Sequence, residues 1–285
     1  MRWAYDTRVR AVVLDADGRP RLAELPEPEE PFDVLACGLC GSDVEKLGRA
    51  PAGTVLGHEV VAQAGGRRLA LVHHLPCGEC ARCRAGHEST CEQFSEPTIV
   101  PGGFAERIAP TDGVELPDSL DDVRGTMVEP LACVLRGAER VPHGRVLVVG
   151  NGFVGRLFRA VLERRGDEVF AVDSDPRRGG RAPDGPVGAA IVCAPGGGAS
   201  ALEAVEPGGT VLVFADAGEL LSDGVYRREL TVVGSRSATP ETMHAAAALL
   251  PELEVPEPTL LPLDRFDEGL ELFVRRETLK VVFVP

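Results

Sequence analysis

Side chains that bind metals cluster in the first quarter of this 285-residue chain. Thiolate, imidazole and carboxylate groups are the ligands that zinc prefers. The cluster consists of Cys37, Cys40, Ser42 and Asp43, followed by His58 and Glu59 of a Gly-His-Glu triplet. Cys37 and Cys40 have C-x-x-C spacing, which fits a redox pair, half of a structural zinc site, or one metal ligand beside an uninvolved cysteine. The spacing alone leaves all three interpretations open.

Four further cysteines follow with C-x2-C-x2-C-x7-C spacing. They are Cys77, Cys80, Cys83 and Cys91. Four thiolates this close can complete a tetrahedral zinc shell with no open position, so the pattern predicts a structural zinc site. An iron–sulfur site is the rival, because cysteine spacing does not fix the metal. This lobe needs no further ligand, so Cys37 is predicted to be a small buried residue, as are Cys133 and Cys193.

A glycine-rich segment with G-x-G-x-x-G spacing follows an apolar run and precedes a helical pattern. Its glycines predict a tight turn, close approach of a pyrophosphate, and close helix–strand packing. The candidate cofactor-binding residues are Gly150, Gly152, Phe153, Val154, Gly155, Asp173 and Arg178. Asp173 ends the next predicted strand, where a carboxylate can hold ribose hydroxyls and repel a 2′-phosphate, which favours NAD. Arg177 and Arg178 follow closely and leave NADP open.

The predicted elements change in character along the chain. Up to Pro117 the sequence indicates short strands and loops, and hence a β-rich body. Residues 120–140 have helical composition, with a break or kink at Pro130. Strands then alternate with helices, which predicts a parallel sheet with crossovers. The strands of this alternation are expected at 146–149, 169–172, 190–193, 210–214 and 230–233, and its helices at 155–165, 200–205 and 240–250. Residues 251–258 break the pattern, and a last helix at 266–275 and a last strand at 279–284 follow.

Composition excludes several functional classes. The net charge of −14 argues against nucleic acid as a partner, because phosphates require a basic surface. The sequence lacks the run of about 20 apolar residues that crosses a membrane. Residues 1–10 lack the apolar core of a secretory signal, so we expect a cytoplasmic protein. Clustered cysteines in that compartment favour metals over disulfides.

Several motifs occur in an order that resembles the zinc-dependent medium-chain dehydrogenases/reductases of the alcohol dehydrogenase superfamily, on the branch with sorbitol and threonine dehydrogenases. The resemblance covers almost the whole chain. The motifs are Gly38-Leu39-Cys40-Gly41-Ser42-Asp43, Gly57-His58-Glu59, the four-cysteine lobe, Gly102-Gly103-Phe104-Ala105-Glu106, Glu129-Pro130-Leu131 and the glycine fingerprint. The resemblance implies an α/β enzyme with a β-rich, GroES-like catalytic domain and a Rossmann doubly wound parallel sheet.

The resemblance also implies roles for the metal-binding cluster. Cys40, His58 and Glu129 are expected to bind a catalytic zinc, with Glu59 behind the metal and able to bind it in some states. Asp43 would orient the zinc-bound histidine, and three protein ligands with an open position suit catalysis. Ser42 would pass the alcohol proton outward.

The chain departs from this family at two places. Many relatives carry a histidine that ends the proton relay where this chain has Glu45, which is either a substitute proton acceptor or a solvated charge. Relatives are also longer, and only a Pro- and Gly-rich loop lies between Asp173 and Ile191. Loss of an edge strand leaves the other pairings intact, so we predict a shortened sheet of five to six strands and a more open adenine pocket.

The expected organisation is two domains. Residues 1–133 and 257–285 would form the catalytic domain, with the structural zinc lobe at 77–91, and residues 134–256 the cofactor domain. The active site is expected in the cleft between them. His73 and His74 are predicted to be packing or surface residues. Lys280 is expected to be a solvated charge or, less favoured, a pyrophosphate contact.

The sequence therefore predicts an NAD-dependent zinc enzyme that oxidises a secondary alcohol, polyol or 3-hydroxy amino acid reversibly. It would hold two zinc ions and act on a small molecule, as a homodimer or homotetramer by analogy with the family. Two alternatives stay open. One is an NADPH-dependent aldehyde or ketone reductase on the same scaffold, and the other is a non-catalytic sensor that binds zinc and nucleotide.

Overall fold

The computed structural model of the chain describes residues 7–94, 97–219 and 222–285. Residues 1–6, part of the segment expected to lack a secretory signal, lie outside the described residues. The strands are β1 (Arg8–Leu14), β2 (Pro20–Pro26), β3 (Phe32–Gly38), β4 (Glu59–Ala64), β5 (Arg67–Leu71), β6 (Ile99–Val100), β7 (Arg107–Pro110), β8 (Gly113–Glu115), β9 (Arg145–Val149), β10 (Glu168–Val172), β11 (Val187–Val192), β12 (Val205–Val213), β13 (Thr231–Gly234), β14 (Thr259–Pro262) and β15 (Val281–Val284).

The α-helices are short, apart from three of ten or more residues. They are α1 (Gly41–Lys46), α2 (Ala81–Arg84), α3 (Asp122–Gly125), α4 (Val128–Ala138), α5 (Phe153–Arg165), α6 (Gly198–Ala204), α7 (Ser222–Arg227), α8 (Pro240–Leu249) and α9 (Phe266–Val274). Within the described ranges, no helix combines the length and the apolar character needed to cross a membrane.

The chain divides into two compact units. Unit 1 comprises the described residues up to Glu129, together with Thr239–Pro251 and Glu257–Pro285. Unit 2 comprises Pro130–Ala238 and Glu252–Pro256. Helix α8 therefore falls in unit 1, whereas the sequence analysis placed its residues in the cofactor domain. Thr239 caps this helix with its hydroxyl, and Pro240 occupies the first turn, where a missing N–H costs little.

Unit 1 is built on an eight-stranded, mainly antiparallel sheet. Its main path runs β14-β15-β3-β4-β5-β8, with β7 pairing β3 and β6. Strands β1 and β2 form a separate two-stranded sheet, and isolated bridges join its residues Ala11 and Val13 to Ala105 and Val55 respectively, which lie outside the named strands. The core contains the rings of Phe104, Phe266 and Phe283, whose centroids lie 4.7 to 5.7 Å apart. The β-rich first third predicted from sequence is confirmed.

Unit 2 contains a parallel five-stranded sheet in the order β10-β9-β11-β12-β13. Val149 at the end of β9 lies opposite Val172 of β10 and Val192 of β11. Strands β10 and β11 lie on either side of β9, so the strand order reverses there. The loops after β9, β10 and β11 therefore meet at the carboxyl ends of the strands, where such folds bind ligands. One face of helix α5 is buried; it includes Leu157 and Phe158 and apolar residues one helical turn before and after them.

The shortened sheet is confirmed. Between β10 and β11 the structure has only the 3-10 helix Pro176–Arg178 and a loop. This loop covers the edge strand, because Ala171 N donates to Arg181 O at 3.0 Å and the Arg181 guanidinium lies 4.3 Å from the Phe170 ring centre. The predicted break at Pro130 is not found there, since Pro130 lies in the first turn of α4, where a proline is tolerated.

Candidate metal and cofactor sites

A first group of metal-binding side chains lies where β3 ends and β4 begins. These strands are antiparallel, with Gly38 opposite Glu59. Cys40 just after β3 and His58 just before β4 are therefore neighbours. One ligand atom from each of Cys40, His58 and Glu59 lies within 4.8 Å of the others. A thiolate, an imidazole and a carboxylate in this space form a donor set suited to zinc, and we call the three residues the mixed-ligand site.

The carboxylate of Asp43 holds both loops of the mixed-ligand site. Its Oδ2 accepts a hydrogen bond from Cys40 N at 3.1 Å. Its Oδ1 lies 3.3 Å from Gly57 N and 3.2 Å from His58 Nδ1. Burial lowers the pKa of His58, but the charge and hydrogen bond of Asp43 outweigh burial and raise it well above its usual value. Because Nδ1 faces Asp43, the Nε2 atom of His58 is left for a metal.

Glu59 forms a buried ion pair with Lys280 behind this site. The Lys280 ammonium also donates to Leu39 O at 3.1 Å. Burial lowers the pKa of Lys280, but the charge of Glu59 outweighs burial and raises it. Any Cβ at Gly38 would collide with the Glu59 carboxylate, so the pair requires a glycine there. The expectation that Lys280 is a solvated charge is wrong, because the residue is only 2% exposed.

The other residues predicted for catalysis or metal binding lie at different distances from the mixed-ligand site. Ser42 Oγ donates to Cys40 Sγ at 3.4 Å. Glu45 is exposed on α1. Glu129 is buried in the first turn of α4 and is not one of the three residues whose ligand atoms converge. The structure therefore brings Ser42 to the mixed-ligand site, and Glu129 remains a predicted ligand.

The four cysteines of the second pattern form a compact lobe around α2. Their sulfur atoms all lie within 4.8 Å of one another. Main-chain amides donate to the sulfurs, in the pairs Cys77 N to Cys91 Sγ at 3.3 Å, Cys80 N to Cys77 Sγ at 3.3 Å and Cys83 N to Cys80 Sγ at 3.4 Å. Amide N–H groups, first that of Glu92, lower the pKa of Cys80 to about 6. All eight cysteines are free, so the four sulfurs of the cysteine lobe are not joined by disulfides and remain available as metal ligands.

The glycine fingerprint forms the turn from β9 into α5. Gly150 has a φ of +103°, which favours glycine, and any Cβ on Gly155 would collide with the Gly150 carbonyl. Gly152 is the N-cap of α5, so the amide N–H groups of Phe153 and Val154 belong to the first turn of the helix, where no carbonyl within the helix can accept from them. This is the arrangement that binds a phosphate at a helix N-terminus. We call residues 150–155 the nucleotide turn.

Asp173 closes the nucleotide turn from the end of β10. Its Oδ2 accepts a hydrogen bond from Asn151 N at 2.7 Å, and its Oδ1 accepts one from Asp175 N at 2.8 Å. Arg178 lies beside it, with Nη1 3.6 Å from Asp173 Oδ2 and 2.9 Å from a Cβ placed on Gly152. The guanidinium therefore lies over the turn and partly neutralises the carboxylate.

Sequence reasoning missed the roles of two buried polar residues. Asn151, 1% exposed, donates through Nδ2 to Arg178 O at 2.8 Å and so fixes the loop to the turn. Its place between Gly150 and Gly152, the first two glycines of the fingerprint, was the available signal. Lys280 lies between Leu279 and the apolar strand β15, a context in which a solvated lysine is not expected, and that context could have revealed its buried position.

The chain is similar in sequence to several known proteins. Residues 32–117 match the model of the alcohol dehydrogenase GroES-like domain. The chain is 26% identical to L-galactonate-5-dehydrogenase of Escherichia coli, over 80% of this chain and 83% of that protein. It is 28% identical to D-altritol 5-dehydrogenase of Agrobacterium fabrum, over 96% and 99%. It is 33% identical to a probable D-xylulose reductase A of Neosartorya fischeri, over 52% of this chain and 50% of that relative.

Solved structures share the fold across the full length. Acetophenone reductase from Geotrichum candidum in complex with NAD has a TM-score of 0.85 at 17% identity, over 100% of this chain and 99% of that one. A protein of Sinorhizobium meliloti classed as a zinc-binding dehydrogenase and bound to NADP has a TM-score of 0.78 at 24% identity, over 98% and 100%. Residues 32–117 thus match the alcohol dehydrogenase GroES-like domain, and the chain as a whole is similar in sequence to polyol dehydrogenases and in fold to solved dehydrogenases and reductases.

Proposed function

We propose that this enzyme oxidises a secondary alcohol or polyol to a ketone, reversibly, with zinc and NAD. The observation that carries the proposal is the mixed-ligand site, in which Asp43 orients His58 beside Cys40. Relatives named for L-galactonate and D-altritol support a polyhydroxylated substrate. A 3-hydroxy amino acid is the remaining candidate within this proposal.

The mixed-ligand site would hold the catalytic zinc through Cys40 and His58. Glu129 is the proposed third ligand, and Glu59 would bind only in some states. A zinc ion held there would supply the Lewis acidity that polarises an alcohol oxygen. Ser42 would accept and pass on the alcohol proton, because its hydroxyl contacts the proposed ligand Cys40.

Glu45 is the proposed end of the proton path, since it is exposed on the helix that carries Ser42. The variant Glu45→Gln should lower the oxidation rate mainly at low pH. A pH–rate profile that the substitution leaves unchanged would remove Glu45 from the path.

The cysteine lobe would hold a second, structural zinc through Cys77, Cys80, Cys83 and Cys91. Four sulfurs and main-chain amide donors leave no place for a substrate, which supports a structural role. Metal analysis of the purified enzyme tests this directly. About two zinc ions per chain are expected, and iron at the lobe would contradict the choice of metal.

NAD is the proposed cofactor, which would supply the hydride acceptor. Gly150, Gly152 and Gly155 would let its pyrophosphate approach the start of α5, where Phe153 and Val154 present their amides. Asp173 would accept from the ribose hydroxyls. NADP, and with it an aldehyde or ketone reductase, is the second candidate, because Arg178 lies where a 2′-phosphate would be attracted. Titration with NADH against NADPH separates the two, and a lower KM for NADPH would favour the reductase.

The decisive experiment is a panel of alcohols and polyols with NAD, followed by the absorbance of the reduced cofactor. Turnover that a chelator abolishes and zinc restores is the expected result. About one zinc per chain, with nucleotide binding but no turnover on any substrate, would instead indicate a sensor. The proposal also includes a cytoplasmic homodimer or homotetramer that binds small molecules and, given its net charge of −14, no nucleic acid.

A further inference from the structure

A row of four aromatic rings joins the mixed-ligand site to the cysteine lobe within unit 1. The His58 ring stacks on His73, with centroids 4.6 Å apart and planes at 29°. His73 contacts His74 at 3.9 Å, and His74 stacks on Phe94 at 3.7 Å with planes at 14°. Phe94 N then donates to the carbonyl of the lobe residue Cys91 at 3.1 Å. We call His58, His73, His74 and Phe94 the ring stack.

His73 is held in place independently of the metals. Its carbonyl accepts a hydrogen bond from the hydroxyl of buried Thr98 at 2.6 Å. The main chain at His73 is thus anchored by Thr98, while the ring is held between those of His58 and His74.

Asp43 alone does not fix the orientation of the His58 imidazole. A ring hydrogen-bonded at one nitrogen can still tilt about that bond, which would move Nε2 away from a metal. A second ring against its face removes the tilt. His73 supplies this face, and it sits between His58 and the lobe-side members of the stack.

We propose that His73 is a positioning residue for His58 and that the ring stack couples the two metal sites. A lobe closed around its metal holds Phe94 and His74 against His73, and His73 in turn holds His58. The inference rests on the proposed function, because it requires a metal at both sites. In this proposal His73 and His74 do more than pack, because they orient His58 and couple the two metal sites.

The first test compares His73→Ala with His73→Phe, which keeps a ring. The exposed His87 of the same lobe provides the control variant His87→Ala. Zinc release to a coloured chelator is measured, and cobalt substitution distinguishes the four-thiolate site from the mixed-ligand site by its spectrum. His73→Ala should release zinc from the mixed-ligand site about threefold to tenfold faster, the factor expected for one lost ring contact. His73→Phe should restore most of the difference, and His87→Ala should match wild type.

The second test asks whether the coupling passes through the stack. In the wild type, stripping the metal from the cysteine lobe should speed release from the mixed-ligand site. In His74→Ala the mixed-ligand site should already release faster, and stripping the lobe should add nothing. Coupling between two binding sites is reciprocal in binding free energy, so loading the mixed-ligand site should raise the metal affinity of the lobe, measured by chelator competition, in the wild type alone.

Two outcomes would overturn the inference and are distinct. If the wild type holds metal at both sites and His73→Ala releases it no faster than His87→Ala, the ring stack does not position His58, and the proposed function stands. If cobalt gives no signal that Cys40→Ser removes, no metal occupies the mixed-ligand site, and the proposed function fails together with the inference.

Discussion

The mixed-ligand site of unit 1 and the nucleotide turn of unit 2 are built by different means. The first depends on buried side-chain charges brought together from distant parts of the chain. Asp43 of α1 orients His58 across 15 positions of sequence, and Lys280 pairs with Glu59 across 221. The second is one continuous segment, residues 150–155, shaped by glycines and closed by the nearby Asp173.

This difference determines how each site can be damaged. A buried charge that loses its ion-pair partner still carries the full free-energy cost of desolvation. The mixed-ligand site of unit 1 should therefore be sensitive to the removal of single side chains. A turn made of main chain has few side chains to lose, so unit 2 should be sensitive to added atoms. The following predictions test this contrast.

The largest effect is expected for Lys280→Met. Removal of the ammonium leaves Glu59 buried without its ion-pair partner, and breaking such a pair costs about 3–5 kcal/mol. We therefore expect the free energy of unfolding, measured by urea denaturation of the zinc-saturated enzyme, to fall by about this amount. The chain has two lysines, and exposed Lys46 on α1 provides the matched control. Lys46→Met should change stability by less than about 0.5 kcal/mol.

The double variant Glu59→Gln with Lys280→Met tests the cause. It removes both charges, so it should recover part of the stability that Lys280→Met loses. Equal losses in the single and double variants would mean that packing of the lysine stem, not an unpaired charge, determines the effect.

The second prediction concerns Asp43→Asn, which removes a charge without changing the shape of the side chain. The hydrogen bond that orients His58 is weakened, and loss of such a partner lowers metal affinity by about tenfold to hundredfold. Competition with a chelator should show this loss at the mixed-ligand site, and a far smaller change at the cysteine lobe. The exposed carboxylate of Asp17 gives the control variant Asp17→Asn. Equal effects at both metal sites would contradict a local orienting role.

The third prediction adds an atom to the nucleotide turn. In an ordinary helix, Gly→Ala stabilises by up to about 1 kcal/mol. In α5, Gly155→Ala should instead destabilise by roughly 2 kcal/mol, because the new methyl group would collide with the Gly150 carbonyl. It should also raise the KM for the nucleotide. The control is Gly224→Ala in α7, where a Cβ meets nothing within 4 Å. A Gly155→Ala enzyme as stable as Gly224→Ala would show that the turn can relax.

The same contrast explains what the sequence could reveal. The fingerprint glycines, Asp173 and the strand–helix alternation are local signals, and they predicted the parallel sheet and its missing edge strand correctly. The convergence of Cys40 and His58 followed from family motifs, since their contact depends on the register of β3 against β4. Residues that only tertiary structure brings together were not predictable. Lys280 carries no sequence link to Glu59, and the stacking of His73 on His58 depends on where β5 ends.

The last prediction concerns Asp167, a side-chain charge that unit 2 does bury. It precedes β10 and accepts hydrogen bonds from Gly144 N at 2.8 Å and from Arg165. Burial raises the pKa of Asp167, but the bonds from Arg165 and Gly144 outweigh burial and lower it below its usual 3.8. The carboxylate therefore stabilises the fold fully above the pKa of the unfolded chain, and this contribution disappears as the pH falls through the lower pKa of the folded state.

Asp167→Asn should accordingly reduce the free energy of unfolding by about 1 kcal/mol at neutral pH. The deficit relative to wild type should be fully present above about pH 5 and shrink below about pH 4, where the unfolded wild type takes up a proton. Denaturation series at several pH values measure it, with Asp118→Asn at an exposed position as the control. A deficit independent of pH would mean that the shape of the Asp167 side chain matters and its charge does not. The region before β10 would then resemble the nucleotide turn, because it would depend on packing and main-chain geometry and not on a buried charge.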